Sequence, residues 1–461
     1  VSEVQSTPIN TDVELAYKLL ASKKTIYDLL WNYYDGVHEL KYSTERLRDV
    51  FGTVFAKFVE NWCAVVVDAT WERLMLSGFE IGTNAVAKER LEVLWKQTQL
   101  DLDSSDAHLG TLVTGEAFVM VWPDADGELQ AYYNDSRLCH MRYDAENPRK
   151  KRWAAKWWVA DDLRYHLNLY YADRIEYYLT EPMKQAPSSF TAFKPAAELP
   201  NETNPYEVIP VFHFRRQRRA ITSELSVSIL SLQDAIDKLL TDLMVTAEFG
   251  AFPQRYVISN SDVGALKNAP NEIWEIPSGD GVGQAATVGQ LAAAALTNYI
   301  QSIEHMVKAV SSISRTPRHF FFGSTGQLSG EALIALEAPL NKKCRRYMEM
   351  LGDTWQRVTA FMLQLDGTTV APEDITPIWT SPETIQPKTE AEIRKIAVES
   401  GLPLTSMLRA EGKTESDLVQ IEKDRVREAA VSSAGLANAL LEQQRQFDQE
   451  DDSDTILTGS D

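Results

Sequence analysis

The sequence predicts an α+β protein, mainly helical, on three observations. Apolar residues recur at steps of three and four over most of the chain, the period of a helix with one buried face. Between about residues 112 and 214 that period gives way to short aromatic and β-branched runs, the pattern of strands. Two amphipathic helical segments then flank a small strand-bearing insert, and the longest helical pattern of the chain follows.

In chain order, Leu15, Leu19, Ile26, Leu29, Leu30 and Tyr33 predict helix, with a break at Ser22–Thr25 where Thr25 and Asp28 offer a cap. Asp35-Gly36 marks a turn. From Thr44 to about Ser77 one long helix, or two in tandem, is predicted on the stripe Phe51, Phe55, Phe58, Trp62, Val65 and Val66, with Gly78 as its stop. A further helix covers about Val86–Leu100. Ala117–Trp122 predicts a strand, Asp124–Glu128 a hairpin turn, and Leu129–Tyr133 the return strand. Trp153–Val159, Leu167–Tyr171, Arg174–Leu179 and Val208–Phe214 predict further strands, while 181–205, with its five prolines, predicts a loop.

A helix over about Ser223–Glu248 has Leu225, Ile229, Leu232, Ile236, Leu239 and Leu243 on its apolar face. Asp234, Asp237, Lys238, Thr241 and Glu248 lie opposite. The insert holds two strand-like runs, Arg255–Ile258 and Glu272–Ile276. A second helix, about Leu291–Ser314, has Leu296, Tyr299, Ile300, Ile303, Val307 and Val310 on one side and Gln301, His305, Lys308, Ser312 and Arg315 on another. A loop with Pro317, Gly323, Gly326 and Gly330 leads to the longest helix, whose apolar stripe runs from Leu333 to Leu365 and contains Cys344 as a core thiol. Pro339 inside it predicts a kink. Residues 384–447 are helical again, and 448–461 predict a disordered acidic tail.

Composition narrows the function. The 461 residues suggest about three domains. Lys and Arg number 46 against 66 Asp and Glu, a net charge of −20, which argues against tight wrapping of nucleic acid by phosphate neutralisation. Three scattered cysteines, Cys63, Cys139 and Cys344, form no zinc or disulfide framework, so a reduced compartment is expected. No signal-type segment opens the sequence and no apolar run is long enough to span a bilayer, so no membrane is expected among the partners.

Catalytic patterns find little support. Gly281-Val282-Gly283-Gln284-Ala285-Ala286 fits a dinucleotide fingerprint, but Glu304 falls inside a helix and not at the end of a second strand. Asp124-Ala125-Asp126-Gly127 resembles the start of a calcium loop, yet position 12 is Asp135 instead of a glutamate, which favours a hairpin turn. The seven histidines form no zinc-hydrolase pair. Two basic clusters interleave with aromatics: Lys150, Lys151, Arg152 and Lys156 with Trp153, Trp157 and Trp158, and Arg215, Arg216, Arg218 and Arg219 after Phe212 and Phe214. They fit single-stranded nucleic acid or, better given the net charge, a solvated edge or a salt-bridge strip. No catalytic residue, metal or cofactor is expected.

The helical hairpin with a module at its tip makes most sense packed side by side in a ring. Three stretches carry a resemblance in that setting. One is Tyr33-Tyr34-Asp35-Gly36 with Asn61-Trp62-Cys63, Val67-Asp68 and Glu72-Arg73-Leu74. The second is Leu328-Ser329-Gly330-Glu331-Ala332-Leu333, continuing to Glu337, Leu340 and Lys342. The third is the block from Ile393 to Val431 with Gly401-Leu402-Pro403. With the order of elements, the chain resembles the portal proteins of tailed bacteriophages, the head-to-tail connectors, of the type found in long-tailed phages of actinobacteria.

The resemblance implies a ring, usually of twelve subunits, at one capsid vertex, assembled in the bacterial host cytoplasm. Double-stranded DNA would be packaged and ejected through it. Its partners would be copies of itself, the major capsid protein and scaffold, the terminase large subunit, and later a head-completion adaptor. Residues 1–222 would be the wing (helices in 1–110, a β-rich part in 111–222), 223–249 and 290–315 the stem, and 250–289 the clip. The tunnel loop would be 316–330, the long kinked helix and its return 331–383, and the crown 384–447. Asp234, Asp237, Asp242, Glu248, His305, Lys308 and Arg315 are candidates for the channel wall, where negative charge would keep DNA from sticking. Arg318, His319, Phe320, Phe321 and Gln327 are candidates for DNA contact in the tunnel loop, with packing inside the subunit the rival reading for the phenylalanines. Arg255, Tyr256 and Trp274 are candidates for docking at the clip. The competing classes are another ring-forming virion adaptor or scaffold protein, and a nucleotide-binding enzyme using the glycine loop at 279–289.

Overall fold

A computed structural model of the chain describes residues 11–41, 59–82, 84–124, 126–197, 201–250, 255–258, 287–290, 295–323, 330–383, 395–396, 399–410 and 417–428. The chain divides into two units, Val1–Pro377 and Ile378–Asp461.

The first unit opens with α1 (Thr11–Tyr34), one uninterrupted helix. The break predicted at Ser22–Thr25 does not occur. That stretch holds no Gly or Pro, and Ser22 Oγ donates to the Leu19 carbonyl without leaving the helix. Buried Val13, Ala16, Leu20, Tyr27, Leu30 and Tyr33 give α1 its inward stripe. A short α2 (Trp62–Trp71) follows, with Asn61 accepting from Ala64 N as its cap. The helix predicted through to Ser77 ends here. Leu76–Ile81 is strand β1 instead, and Gly78 lies within it. The predicted stripe residues Phe51, Phe55 and Phe58 lie outside the described residues.

Next come α3 (Ala85–Gln97) and α4 (Leu100–Thr114), separated by Gln99 in the left-handed region. Gly115, at φ +92, turns α4 into strand β2 (Glu116–Pro123). A Cβ at Gly115 would meet Thr222 backbone atoms at 2.7 Å, so only glycine fits this corner. β2 is the centre of a three-stranded antiparallel sheet between β3 (Leu129–Asn134) and β10 (Val211–Arg215). A second antiparallel sheet runs in order β4 (Cys139–Tyr143), β5 (Lys151–Val159), β6 (Tyr165–Tyr170) and β7 (Arg174–Leu179). The short pieces β8 (Lys194–Pro195) and β9 (Glu202–Thr203) both pair with β7. The predicted proline-rich loop is thus mostly a loop that contributes two edge fragments.

Strand alternation builds two cores from one sheet. Trp153, Ala155 and Trp157 with Leu167 and Leu169 pack against Val13, Ala16 and Leu20 of α1. Ala154 and Tyr170, one residue out of phase, pack against Phe118, Met120 and Val211 of the first sheet. Both faces are therefore covered, which explains why these strands read as continuous aromatic runs.

Helices α5 (Val227–Gly250) and α6 (Leu296–Ser314) form a hairpin, with the end of α5 meeting the start of α6 at Thr246 and Tyr299, whose hydroxyls lie 3.4 Å apart. Between them β11 (Arg255–Ile258) pairs with β12 (Thr287–Gln290). The strand predicted at Glu272–Ile276 lies outside the described residues. After the short helix α7 (His319–Phe322) comes α8 (Gly330–Leu365), with Pro339 inside it. Its buried side chains Leu340, Cys344, Tyr347, Leu351, Trp355, Val358 and Met362 follow the predicted stripe. Trp355 is fully buried, its ring 4.6 Å from Phe214 and 5.1 Å from Trp95. β13 (Ile375–Trp379), where the boundary between the units falls, pairs with β1. In the second unit the described residues include α9 (Leu404–Ala410), preceded by Gly401 at φ +89, and a helical stretch over 417–428. The rest of 384–447, and the acidic segment 448–461, lie outside the described residues.

Candidate functional site

The helical hairpin and its anchors hold most of the sequence-predicted site residues, and α5 buries part of its polar stripe together with part of its apolar one. Gln233, Asp237 and Thr241 step by four, and all three are buried with Asp234 inside the subunit. Of the expected core stripe, Leu225, Ile229 and Ile236 are buried, whereas Leu232, Leu239 and Leu243 are only partly buried. The polar stripe is buried because Tyr33, His38, Lys41, Glu60 and Trp62 supply its partners. Tyr33 donates its hydroxyl to Asp234 Oδ1 at 2.6 Å, and Lys41 Nζ reaches Asp234 Oδ2 at 3.1 Å. His38 Nε2 lies 2.8 Å from Asp237 Oδ2, and Gln233 Nε2 donates to Asp237 Oδ1 at 3.0 Å and to the Glu60 carbonyl at 2.7 Å. Gln233 Oε1 in turn accepts from Trp62 N at 3.0 Å. The His38 ring stacks on Tyr33 with centroids 4.1 Å apart. Burial, then the bond to Asp234, pushes the Tyr33 phenol up to about 12, and burial beside Asp237 and Asp234 raises the Cys63 thiol. A neutral phenol and an inert thiol suit a structural core.

This corrects the assignment of Asp234 and Asp237 to a channel wall. Their charges are spent on partners within the subunit and are shut off from solvent. Asp242 is partly exposed and paired with Lys238 one turn away. Lys308 pairs with Glu304 at 3.2 Å, while His305 and Arg315 are exposed. Arg315 closes α6 in the left-handed region, at φ +59. The side chain of Glu248 lies outside the described residues.

The segment after α6 is fastened to α2 and α8. His319 Nε2 sits 3.2 Å from Glu337 Oε1, and Arg73 Nη2 lies 3.3 Å from Glu337 Oε2. The Arg73 guanidinium covers the Phe320 ring at 5.1 Å, and buried Phe321 packs on Trp62 at 5.4 Å. Of the residues considered for DNA contact, Phe321 and most of Phe320 are therefore packing groups. Arg318 is exposed, Phe322 keeps 37% of its surface, and Gln327 lies outside the described residues. Arg255 and Tyr256 sit on β11, while their side chains, Trp274, and the glycine loop 281–286 lie outside the described residues.

Two further ionic clusters escaped sequence reasoning. Glu224, buried just before α5, takes Lys343 Nζ at 2.6 Å, Arg216 Nη1 at 3.1 Å and the Tyr347 hydroxyl at 2.7 Å. Burial opposes its ionisation, but Lys343 and then Arg216 outweigh it and hold the carboxyl below its ordinary value. Glu116, at the start of β2, pairs with Lys23, Tyr27 and His213. Burial works against that carboxylate too, and His213 and Lys23 outweigh it and lower its pKa. Apart from Arg216, the partners lie about ninety or more residues from these acids, so no local spacing signals them. The Asp124 carboxylate accepts from the N–H groups of Asp126 and Glu128 and from Gln130, the bonds of a tight turn. Among the described residues no group of three or more His, Cys, Asp or Glu is placed to hold a metal ion.

A family model described as "Phage portal protein, SPP1 Gp6-like" matches residues 20–428, most of the chain. The chain belongs to the phage portal protein family. It is 24% identical over 370 residues to the portal protein of Mycobacterium phage L5, and 22% identical over 371 residues to that of Mycobacterium phage D29, covering 74% of each chain in both cases. The expected resemblance to portals of actinobacterial phages is thereby shown. A phage portal protein is a component of the virion. None of the described helices is long and apolar enough to cross a membrane.

Proposed function

We propose that this portal protein is the repeating subunit of a closed ring at one capsid vertex, through which double-stranded DNA enters and leaves. In this reading α5 and α6 form the stem, the β11–β12 insert is the clip that meets the terminase and then a head-completion adaptor, and residues 384–447 form the crown. The observation that carries it is the family match over residues 20–428, joined to apolar surface left open on the hairpin. Val227 is 81% exposed, Ile300 48% and Ile313 49%, with Leu232, Leu239 and Leu243 half-buried beside them. Such stripes are costly in water and are covered when copies pack side by side. With Asp234 and Asp237 inside the subunit, the candidates left for a channel wall are Asp242, Glu248, His305, Lys308 and Arg315.

Electron microscopy of the purified full chain, with mass measured in solution and in the presence of capsid and scaffold proteins, tests the reading. A ring of about a dozen subunits with a central hole is expected. A folded monomer under all these conditions would overturn it.

A further inference from the structure

A cavity of about 270 Å³ opposes the acidic character of the chain. Arg149, Lys151, Arg215, Arg218 and Arg357 line it, with Asp353 the one carboxylate among its lining residues. Three elements bring them together: the start of β5 supplies Lys151, the end of β10 Arg215, and successive turns of α8 Asp353 and Arg357. Asp353 is already engaged through both oxygens, with Arg218 and Arg357 each at 3.2 Å. Lys151 and Arg215 make no ion pair among the described residues. Each is instead held over an aromatic ring, Lys151 Nζ at 5.1 Å from the Phe212 centroid and Arg215 Cζ at 4.9 Å from that of Tyr143. Burial, then Arg357 and Arg215, press the Lys151 ammonium down to about 8. Five cations gathered around a single carboxylate repel each other, and a bound anion relieves that repulsion. Arginine forks set on rigid elements suit a tetrahedral oxyanion better than a monovalent halide.

We propose that this cavity is an oxyanion site that takes a phosphate group, either of free phosphate or of a DNA backbone. It is separate from the hairpin and does not depend on the ring reading. Calorimetric titration of the full chain with inorganic phosphate, and with sulfate, is expected to show saturable binding of one anion per chain below roughly 10 mM. Lys151→Met, which keeps the apolar stem on Phe212, and Arg357→Gln, whose side chain is 52% exposed, should each weaken it about tenfold, with unchanged circular dichroism.

Sulfate does not titrate near neutrality, so its affinity should fall from pH 7 to 9 as Lys151 loses its proton, and Lys151→Met should flatten that profile. Of the other groups facing Lys151, the arginines keep their charge and Asp353 is paired. Burial holds His213 down to about 4 and pushes Tyr143 up. A short DNA duplex that displaces phosphate identifies the backbone as the source, and a duplex without effect identifies the free anion. No saturable binding, affinity unchanged in both variants, or binding that vanishes when chains assemble because a second copy fills the cavity would each overturn the proposal.

Discussion

Trp355 donates its indole N–H to His108 Nε2 across 2.9 Å, and this fixes the tautomer of a fully buried imidazole. With Nε2 accepting, the proton sits on Nδ1, which donates to the Leu74 carbonyl at 2.9 Å. α8, α4 and the entry to β1 are pinned by one neutral side chain.

Burial, against the Leu74 bond, lowers the His108 pKa from 6.5 to about 4. Below pH 6.5 the unfolded chain takes up a proton that the folded chain refuses. Stability therefore falls as pH drops from 6.5 towards 4, by up to about 1.4 kcal/mol per pH unit for this group. Denaturant unfolding between pH 6.5 and 5.5 should show a shallower slope in His108→Gln than in the parent chain. Equal slopes would mean that His108 is charged when folded.

Glu224→Gln should destabilise the folded subunit by about 3–5 kcal/mol, because Lys343 and Arg216 lose their shared carboxylate inside the protein. The parent's ion cluster is fully present above the ordinary glutamate range and is lost as pH falls through the lowered folded value. Urea unfolding at pH 7 measures the difference. A change below 1 kcal/mol would show the cluster to be dispensable.

Asp237→Asn should cost roughly 1–3 kcal/mol of stability through the weakened bonds to His38 and Gln233. A carboxylate lining a channel would behave in the opposite way, leaving thermal unfolding unmoved and changing DNA passage. Thermal unfolding and packaging measured on the same variant separate the two.

Ile300→Asp, on a side chain 48% exposed, should leave the fold intact and abolish rings. Circular dichroism with particle imaging reads both. Intact rings would move the contact between copies to another face of the hairpin.

Gly115→Ala places a Cβ against the Thr222 backbone at 2.7 Å, on a residue with φ +92. A loss of about 1–3 kcal/mol is expected in unfolding experiments.

The long-period signals were legible: the apolar stripe of α8, the two hairpin helices, and the aromatic strands β2, β5, β6 and β7 were all read from residue spacing. Their order also carried the family resemblance. Elements without a clear apolar period were not. α4 mixes His108, Ser104 and Thr111 into a buried helix, β4 is five residues long, and β1 was hidden behind the apolar run that continues from α2. The facing of α5 was legible only in part. Leu225, Ile229 and Ile236 are buried as their stripe predicts, but Asp234 and Asp237 are buried too, by Tyr33, His38 and Lys41, about two hundred residues upstream. Periodicity reports which residues share a face. It does not report which of two faces has a partner waiting.

That long reach gives chain synthesis a direction. The donors that neutralise the acids of α5 leave the ribosome first, ahead of α5 by about 10–40 s at ordinary elongation rates. When α5 emerges, the donors for its carboxylates are already outside the ribosome. A fragment beginning after Lys41 would reverse this. Its Asp234 and Asp237 would lack the partners that Tyr33, His38 and Lys41 supply.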